Sequence, residues 1–408
     1  MPSSFAWLDY SEDERQRMLD AVDLFKEKGT RDEMGIGSVR DAFADLFFPG
    51  TSTIQTRARY FLFVPWVYLQ LEQRRVPSSE IAWRARDMEI GLIDALAVAH
   101  PATGSGVIGV TARASLQRLP SNIYWQGLRA WNVRTFGGSL EQYHRYLDRH
   151  YRQNGGGRRA VAGDSRIISS ANWHGGVPAA PESFPNQCDF RLRPLEADYL
   201  RERIMTRQSG SLLAFLVDRG LPKVKLSFPW EHPQLAELPP ANREQLAHAR
   251  NFSEMIHGAP LLYNLMLAEK AVRPELVAQY RAELTDWSKL LKQRAVDLGK
   301  WDRARFWQIL QGAGARVAGP TRVFIEQWWD IAVNLPNTTA ILSLQRAQHL
   351  VGARERYLKG KLSRLESPRA LELWNGAAGT GQLDFRWSQA NTIIDDIVQG
   401  QTALAANA

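Results

Sequence analysis

Arginine and hydroxyl side chains crowd one end of the most apolar stretch of the chain. Thr51, Ser52, Thr53, Thr56, Arg57 and Arg59 stand just before residues 60–69, which are all apolar or aromatic. A guanidinium presents a planar fork of donors, and a helix start presents free N–H groups. Arg57 and Arg59 at such a start suit an anion, above all a phosphate. The same stretch also reads as a core helix kinked at Pro65, and the two readings are compatible.

A second cluster alternates cations with aromatics. Residues 111–151 read TARASLQRLPSNIYWQGLRAWNVRTFGGSLEQYHRYLDRHY, which parses as helices at 111–119, 123–133 and 139–151. Two short helices joined by the break Pro120-Ser121-Asn122 have the outline of a helix-turn-helix. On that reading Arg113, Arg118, Tyr124, Trp125, Gln126, Arg129 and Arg134 supply contacts to phosphates or bases. Tyr124, Leu128 and Trp131 also share one helical face, so part of this aromatic content is packing. Further on, three glycines followed by Arg158 and Arg159 could cradle a phosphate, although a flexible linker has the same composition. A third group, Asn251, Glu254 and His257, interleaves with apolar residues on a long predicted helix at 242–271. It reads either as a polar pocket or as a satisfied buried network.

Several chemistries are excluded. No Gly-Lys-Ser/Thr follows a glycine loop, so the chain carries no nucleotide-binding phosphate loop. No lysine has an acidic residue or a histidine two positions before it, which removes the Glu/Asp-x-Lys and His-x-Lys nuclease patterns. The eight histidines are scattered, and His144 and His150 lack a metal-ligand spacing. Cys188 is the single cysteine, so neither a disulfide nor a cysteine-built zinc site is available. Gln382-Leu-Asp384 has the Gln-x-Asp spacing of one class of helical DNA glycosylases, a short match with many chance occurrences. Neither a cofactor nor a metal is expected.

The elements that must position these residues are helical. Amphipathic or apolar helices are expected at 38–48, across 60–69, at 81–99, 195–205 and 211–217, then at 274–298, 302–311, 320–334, 340–360 and 388–398, with another beginning at Ser11. Residues 223–230 read as a short extended segment. Residues 152–187 are rich in glycine, proline, serine and alanine and mark the expected boundary between an N-terminal lobe, 1–151, and a C-terminal lobe, 188–408.

The 408 residues carry a net charge of +8, and only ten of the 51 basic residues are lysine. Arginine excess suits a polyanion partner, although a GC-rich genome produces the same bias. Asp9, Glu12, Asp13 and Glu14 near the start argue against a secretory leader, and no apolar run approaches the ~20 residues a membrane helix needs. A cytoplasmic bacterial protein is expected.

The phrases IGSVRDAFADLFFPGTSTIQTRARYFLFVPW, LQRLPSNIYWQGLRAW, PWEHPQLAEL, HARNFSEMIHGAPLLYNLMLAE and GAAGTGQLDFRW together resemble an uncharacterised bacterial family of about this length. The resemblance implies genomic company with phage-defence and DNA-processing genes, including helicases with phospholipase-D-like domains. It brings no catalytic residues. The expectation is therefore a mainly α, two-lobed protein with a helix-turn-helix or winged-helix-like element in its first lobe. Its expected role is a non-enzymatic, duplex-DNA-binding subunit that acts with a separate helicase or nuclease. The alternatives are a DNA-modifying or repair enzyme such as a glycosylase, and a structural adaptor between proteins.

Overall fold

The structure, a computed structural model, describes residues 32–101, 105–154, 172–220 and 226–402. The helix expected from Ser11 and the pair Arg158 and Arg159 lie outside the described residues. In chain order the helices are α1 (Gly37–Phe47), α2 (Tyr60–Gln73), α3 (Ile81–Ala99), α4 (Pro120–Ala130), α5 (Leu140–Asn154), α6 (Pro194–Arg207), α7 (Leu212–Arg219) and α8 (Pro240–Ile256). They continue as α9 (Gly258–Lys270), α10 (Pro274–Gln293), α11 (Ala295–Gly299), α12 (Arg303–Gly312), α13 (Gly319–Val333), α14 (Gln345–Lys359), α15 (Pro368–Glu372) and α16 (Trp387–Thr402). The fold is thus mainly helical. Among the described residues no strand forms, and backbone pairing is limited to an isolated antiparallel bridge between Arg134 and Trp173.

Contacts gather the chain into two units, one of residues 1–40 and 248–383, the other of 41–247 and 384–408. Each is built from separate lengths of chain. The described parts of the glycine- and proline-rich stretch, 152–154 and 172–187, lie inside the second unit.

In the second unit α2 is apolar all round, and a helix of that kind needs cover on every side. α3 and α4 pack against it, and Phe61 stacks on Trp131 with ring centroids 3.8 Å apart. Each fully buried Phe or Leu here contributes about 1.5–3 kcal/mol. Glu72 is the buried polar exception near the end of α2. It accepts hydrogen bonds from Tyr143 Oη, Asn172 Nδ2 and Trp173 Nε1, which ties α2 to α5 and to the chain at 172–173. The last helix, α16, packs on α6 and α7. In the other unit α9 and α10 make a helical hairpin, α14 lies on α9 and α13, and Trp301 stacks on Trp329 at 3.5 Å.

Three local expectations change. The helix expected at 111–119 is a single 3-10 turn, Arg113–Ser115. Pro120 disfavours the helical conformation at Leu119, and Arg86 takes the Ala114 and Leu116 carbonyls at 2.6 and 2.9 Å. The helix expected across 242–271 breaks at His257 into α8 and α9, because Pro260 supplies no N–H to the turn before it. Residues 226–231 form bends and the 3-10 turn Pro229–Glu231 instead of an extended segment.

Candidate nucleic-acid interface

The approach to α2 holds an anion as its residues suggest, and the chain supplies that anion itself. Asp396 on α16 receives Arg57 Nε at 2.9 Å, Arg57 Nη2 at 2.6 Å and the Ala58 N–H at 2.9 Å. Burial lifts the Asp396 carboxyl above its ordinary value against the pull of Arg57. For Arg57, burial is the largest influence and acts downward, but the bond to Asp396 together with the charges of Asp396 and Asp395 outweighs it and the net shift is upward. The two amides before Ala58 are taken as well. Thr56 N and Arg57 N donate to Tyr124 Oη at 2.9 and 3.1 Å, and that hydroxyl donates to Arg57 O. Arg59 is only 5% exposed and binds Asp189 Oδ1 at 2.7 Å and Glu196 Oε1 at 3.0 Å. The phosphate expected at Arg57 and Arg59 is therefore replaced by carboxylates of the same chain.

The 111–134 cluster divides by burial. Tyr124 and Trp125 are core residues of α4, and Trp125 Nε1 donates to Gly138 O. Arg134 is 1% exposed and has backbone carbonyls for partners. Its Nε and Nη2 reach Trp125 O, and its Nη1 reaches Phe136 O and Gly138 O. Burial, with the nearby Arg129 charge, lowers its pKa to about 10. A side chain so enclosed cannot meet a phosphate, so Arg59, Tyr124, Trp125 and Arg134 leave the list of surface contacts. Arg113 is exposed and paired with Asp94. Arg118 and Gln126 are exposed, as is Arg129, which donates to Thr135 O at 2.9 Å. Gln126 and Arg129 share the exposed face of α4 with Asn122. Among the described residues no strip joins all the arginines expected to converge.

The sequence reading passed over α5. Arg145, Arg149 and Arg152 are all exposed, and their spacing of four and three places them within one narrow arc of that helix. Tyr143, Leu147 and His150 bury the opposite side. The i, i+4, i+7 arginine spacing is legible in the sequence within the helix expected at 139–151. Arg145 pairs with Glu141 at 3.2 Å, a fully solvated pair that holds it weakly. The α2–α3 turn joins this face. Ser78 N donates to Asp148 Oδ1 at 2.9 Å, and Ser78 Oγ donates to the other carboxylate oxygen. Arg74 and Arg75 in that turn are exposed. Burial raises the Tyr151 phenol, and the nearby Arg75 charge opposes that shift.

The three residues on the predicted long helix do not form an open pocket. Arg294 reaches Asn251 Oδ1 at 2.7 Å and also Glu254, which Arg250 Nε bonds at 2.8 Å. His257 Nε2 meets Thr380 O at 2.9 Å. Polar residues of α8 and α9 hold the 374–383 segment in place. Ser253 Oγ donates to Leu383 O, and the buried Asn264 bonds Ala378 N, Ala378 O and Trp374 Nε1. Gln382 of the Gln-x-Asp match donates to Ser253 Oγ, while Asp384 accepts from Ser388 N near the start of α16. Burial pushes the Cys188 thiol up to about 11, which leaves it protonated and inert. Among the described residues no group of His, Cys, Asp or Glu is placed to hold a metal ion, and no helix is long and apolar enough to cross a membrane.

The molecule is thus a mainly helical protein that presents three exposed arginines, Arg145, Arg149 and Arg152, along one face of α5 in its second unit. Residues 2–400 match the family of unknown function DUF6361, and the chain belongs to that family. Neither a curated protein nor a solved structure matches it.

Proposed function

We propose that this chain is a non-enzymatic DNA-binding subunit of a bacterial anti-phage system, acting in the cytoplasm with a separate helicase or nuclease. The observation that carries the DNA-binding part is the exposed arc Arg145, Arg149 and Arg152 on α5. Guanidinium groups at that spacing can follow a phosphate backbone, and Arg74 and Arg75 extend the surface beyond the helix. In this reading the phosphate contacts come from α5 and not from a helix-turn-helix pair at 111–133. Arg118, Gln126 and Arg129 remain available as flanking contacts. The anti-phage setting and the partner rest on the resemblance to a family found beside phage-defence and DNA-processing genes.

The test is binding of a labelled duplex at increasing salt. Phosphate contacts make log K fall linearly with log salt, with ~0.9 added to the slope per phosphate neutralised. Joint substitution Arg149→Glu and Arg152→Glu should abolish most of the binding while the circular dichroism stays unchanged. Absence of binding at low salt, or binding indifferent to salt, overturns the proposal. Co-purification with a helicase or nuclease from the native host tests the partner separately.

A further inference from the structure

Among the described residues Trp83 is the exposed tryptophan; every other one is buried. It sits on the first turn of α3 and keeps 52% of its surface in solvent. One face of its indole is covered, because the Arg84 guanidinium lies 4.5 Å from the ring centroid. Arg84 is itself held in place, with Nε and Nη2 both on Glu80 Oε2 at 2.9 and 2.8 Å. The result is a layered stack of guanidinium and indole with its outer face open. Five residues earlier, Ser78 is bonded to Asp148 on α5, between Arg145 and Arg152. Trp83 therefore stands five residues along the chain from the point where the α2–α3 turn is tied to α5.

We propose that Trp83 is a stacking platform for an unpaired nucleobase, so that the surface takes DNA carrying a single-stranded segment. The inference rests on the DNA-binding reading of α5 and adds the class of DNA. A flat aromatic face accepts any base, and stacking of this kind is tolerant of sequence. The bases of an intact duplex already stack on each other and offer no free face. The Arg84 guanidinium behind the ring fixes the indole, its charge offset by Glu80, and Asp87, exposed one turn on, limits the anionic path on that side. The strand then runs from the α5 arginines, which hold phosphates, to Trp83, which holds a base.

The experiment measures anisotropy of a labelled oligothymidine, a blunt duplex and a duplex with a single-stranded overhang. Each is titrated with the full chain, with Trp83→Ala, with Trp83→Phe and with the Arg149→Glu/Arg152→Glu variant. Trp83→Ala should weaken the oligothymidine and the overhang about tenfold and leave the blunt duplex within about twofold. Trp83→Phe should retain most of the affinity. The arginine variant should weaken all three probes. If the wild type binds DNA with the expected salt dependence but Trp83→Ala is silent, or weakens blunt duplex equally, the platform is refuted and the α5 reading stands. If the wild type binds none of the probes at low salt, both are refuted.

Discussion

Arg57 and Asp396, 339 positions apart, meet in an ion pair of three hydrogen bonds that fastens the last helix to the approach of α2. The Asp396 side chain is 6% exposed, while that of Arg57 is 25% exposed. Removing the cation therefore strands a buried carboxylate, whereas removing the carboxylate leaves a cation with access to water. Arg57→Ala should cost about 3 kcal/mol at neutral pH, and Asp396→Asn less. The pH signature has a definite sign. Without Arg57, burial alone raises the Asp396 pKa above its ordinary 3.8, so the folded state binds the proton more tightly than the unfolded one. Stability of Arg57→Ala is then greatest below pH 3.8 as far as this group is concerned, and it falls as pH rises through the raised value. Chemical denaturation of both variants between pH 4 and 8 checks this. A larger loss for Asp396→Asn at pH 7 would contradict it.

Glu89 on α3 provides a second pH-dependent prediction. It is 1% exposed, accepts Ser121 N at 2.8 Å through one oxygen, and its other oxygen has no protein partner. Burial raises its pKa from 4.5 to about 7, against the pull of the Ser121 bonds and Arg86. A folded value above the unfolded one means that stability is full below pH 4.5 and is lost as pH rises through 7. Glu89→Gln removes the charge while keeping an acceptor for Ser121 N. It should stabilise the protein by about 2–3 kcal/mol at pH 8 and by almost nothing at pH 4.5. Equal melting temperatures for the variant and the wild type at pH 8 would refute the assignment.

Much of the helical outline was legible because packing and local pattern agree. The spacing of Val39, Ala42, Phe43, Leu46 and Phe47 located α1 to within a residue, and 81–99 coincides with α3. What failed was reading exposure from composition. Arg134 and Arg129 stand five residues apart on either side of the end of α4, yet one is enclosed and the other exposed. Only the turn at 131–139, which folds Phe136 O and Gly138 O over Arg134, separates them. The partner of Arg57 was illegible for a related reason, since nothing local links it to Asp396. Likewise Asn251, Glu254 and His257 looked like a site because buried polar residues and functional ones share a pattern until their partners are known.

Gly258 shows how strictly α9 is seated. A Cβ there would lie 2.3–2.5 Å from ring atoms of Trp287. That indole is buried and donates to Glu254 O at 2.8 Å, so it cannot move aside. Gly258→Ala gains about 1 kcal/mol of helix propensity and loses about 1–3 to overpacking. A net destabilisation is expected, measured by urea denaturation, and a stabilised variant would show that the indole has room.

Asn264 is the residue most committed to holding the 374–383 segment. Its amide N donates to Pro260 O and Ala378 O, and its amide O accepts from Ala378 N and Trp374 Nε1. Asn264→Leu leaves Ala378 N and Trp374 Nε1 buried without an acceptor, at about 1–3 kcal/mol for each such group. Limited proteolysis should then cut within 374–383 before elsewhere. Digestion identical to the wild type would show that the loop is held by other contacts.

The arginines can be sorted by the same logic of exposure, and the sorting decides where DNA would lie. Arg134→Glu would put a carboxylate among the Trp125, Phe136 and Gly138 carbonyls, and it should unfold the second unit regardless of any ligand. Arg129→Glu changes an exposed side chain and should leave the melting temperature within a few degrees. Any loss of DNA affinity it shows would be electrostatic. On α5, neutralising Arg145, Arg149 and Arg152 one at a time should lower the salt slope by ~0.9 at each step, as expected for one phosphate per arginine. If the slope holds constant through all three while Arg129→Glu or Arg118→Glu reduces it, the phosphates run along α4 instead. The α5 surface would then be no more than a solvated helix face.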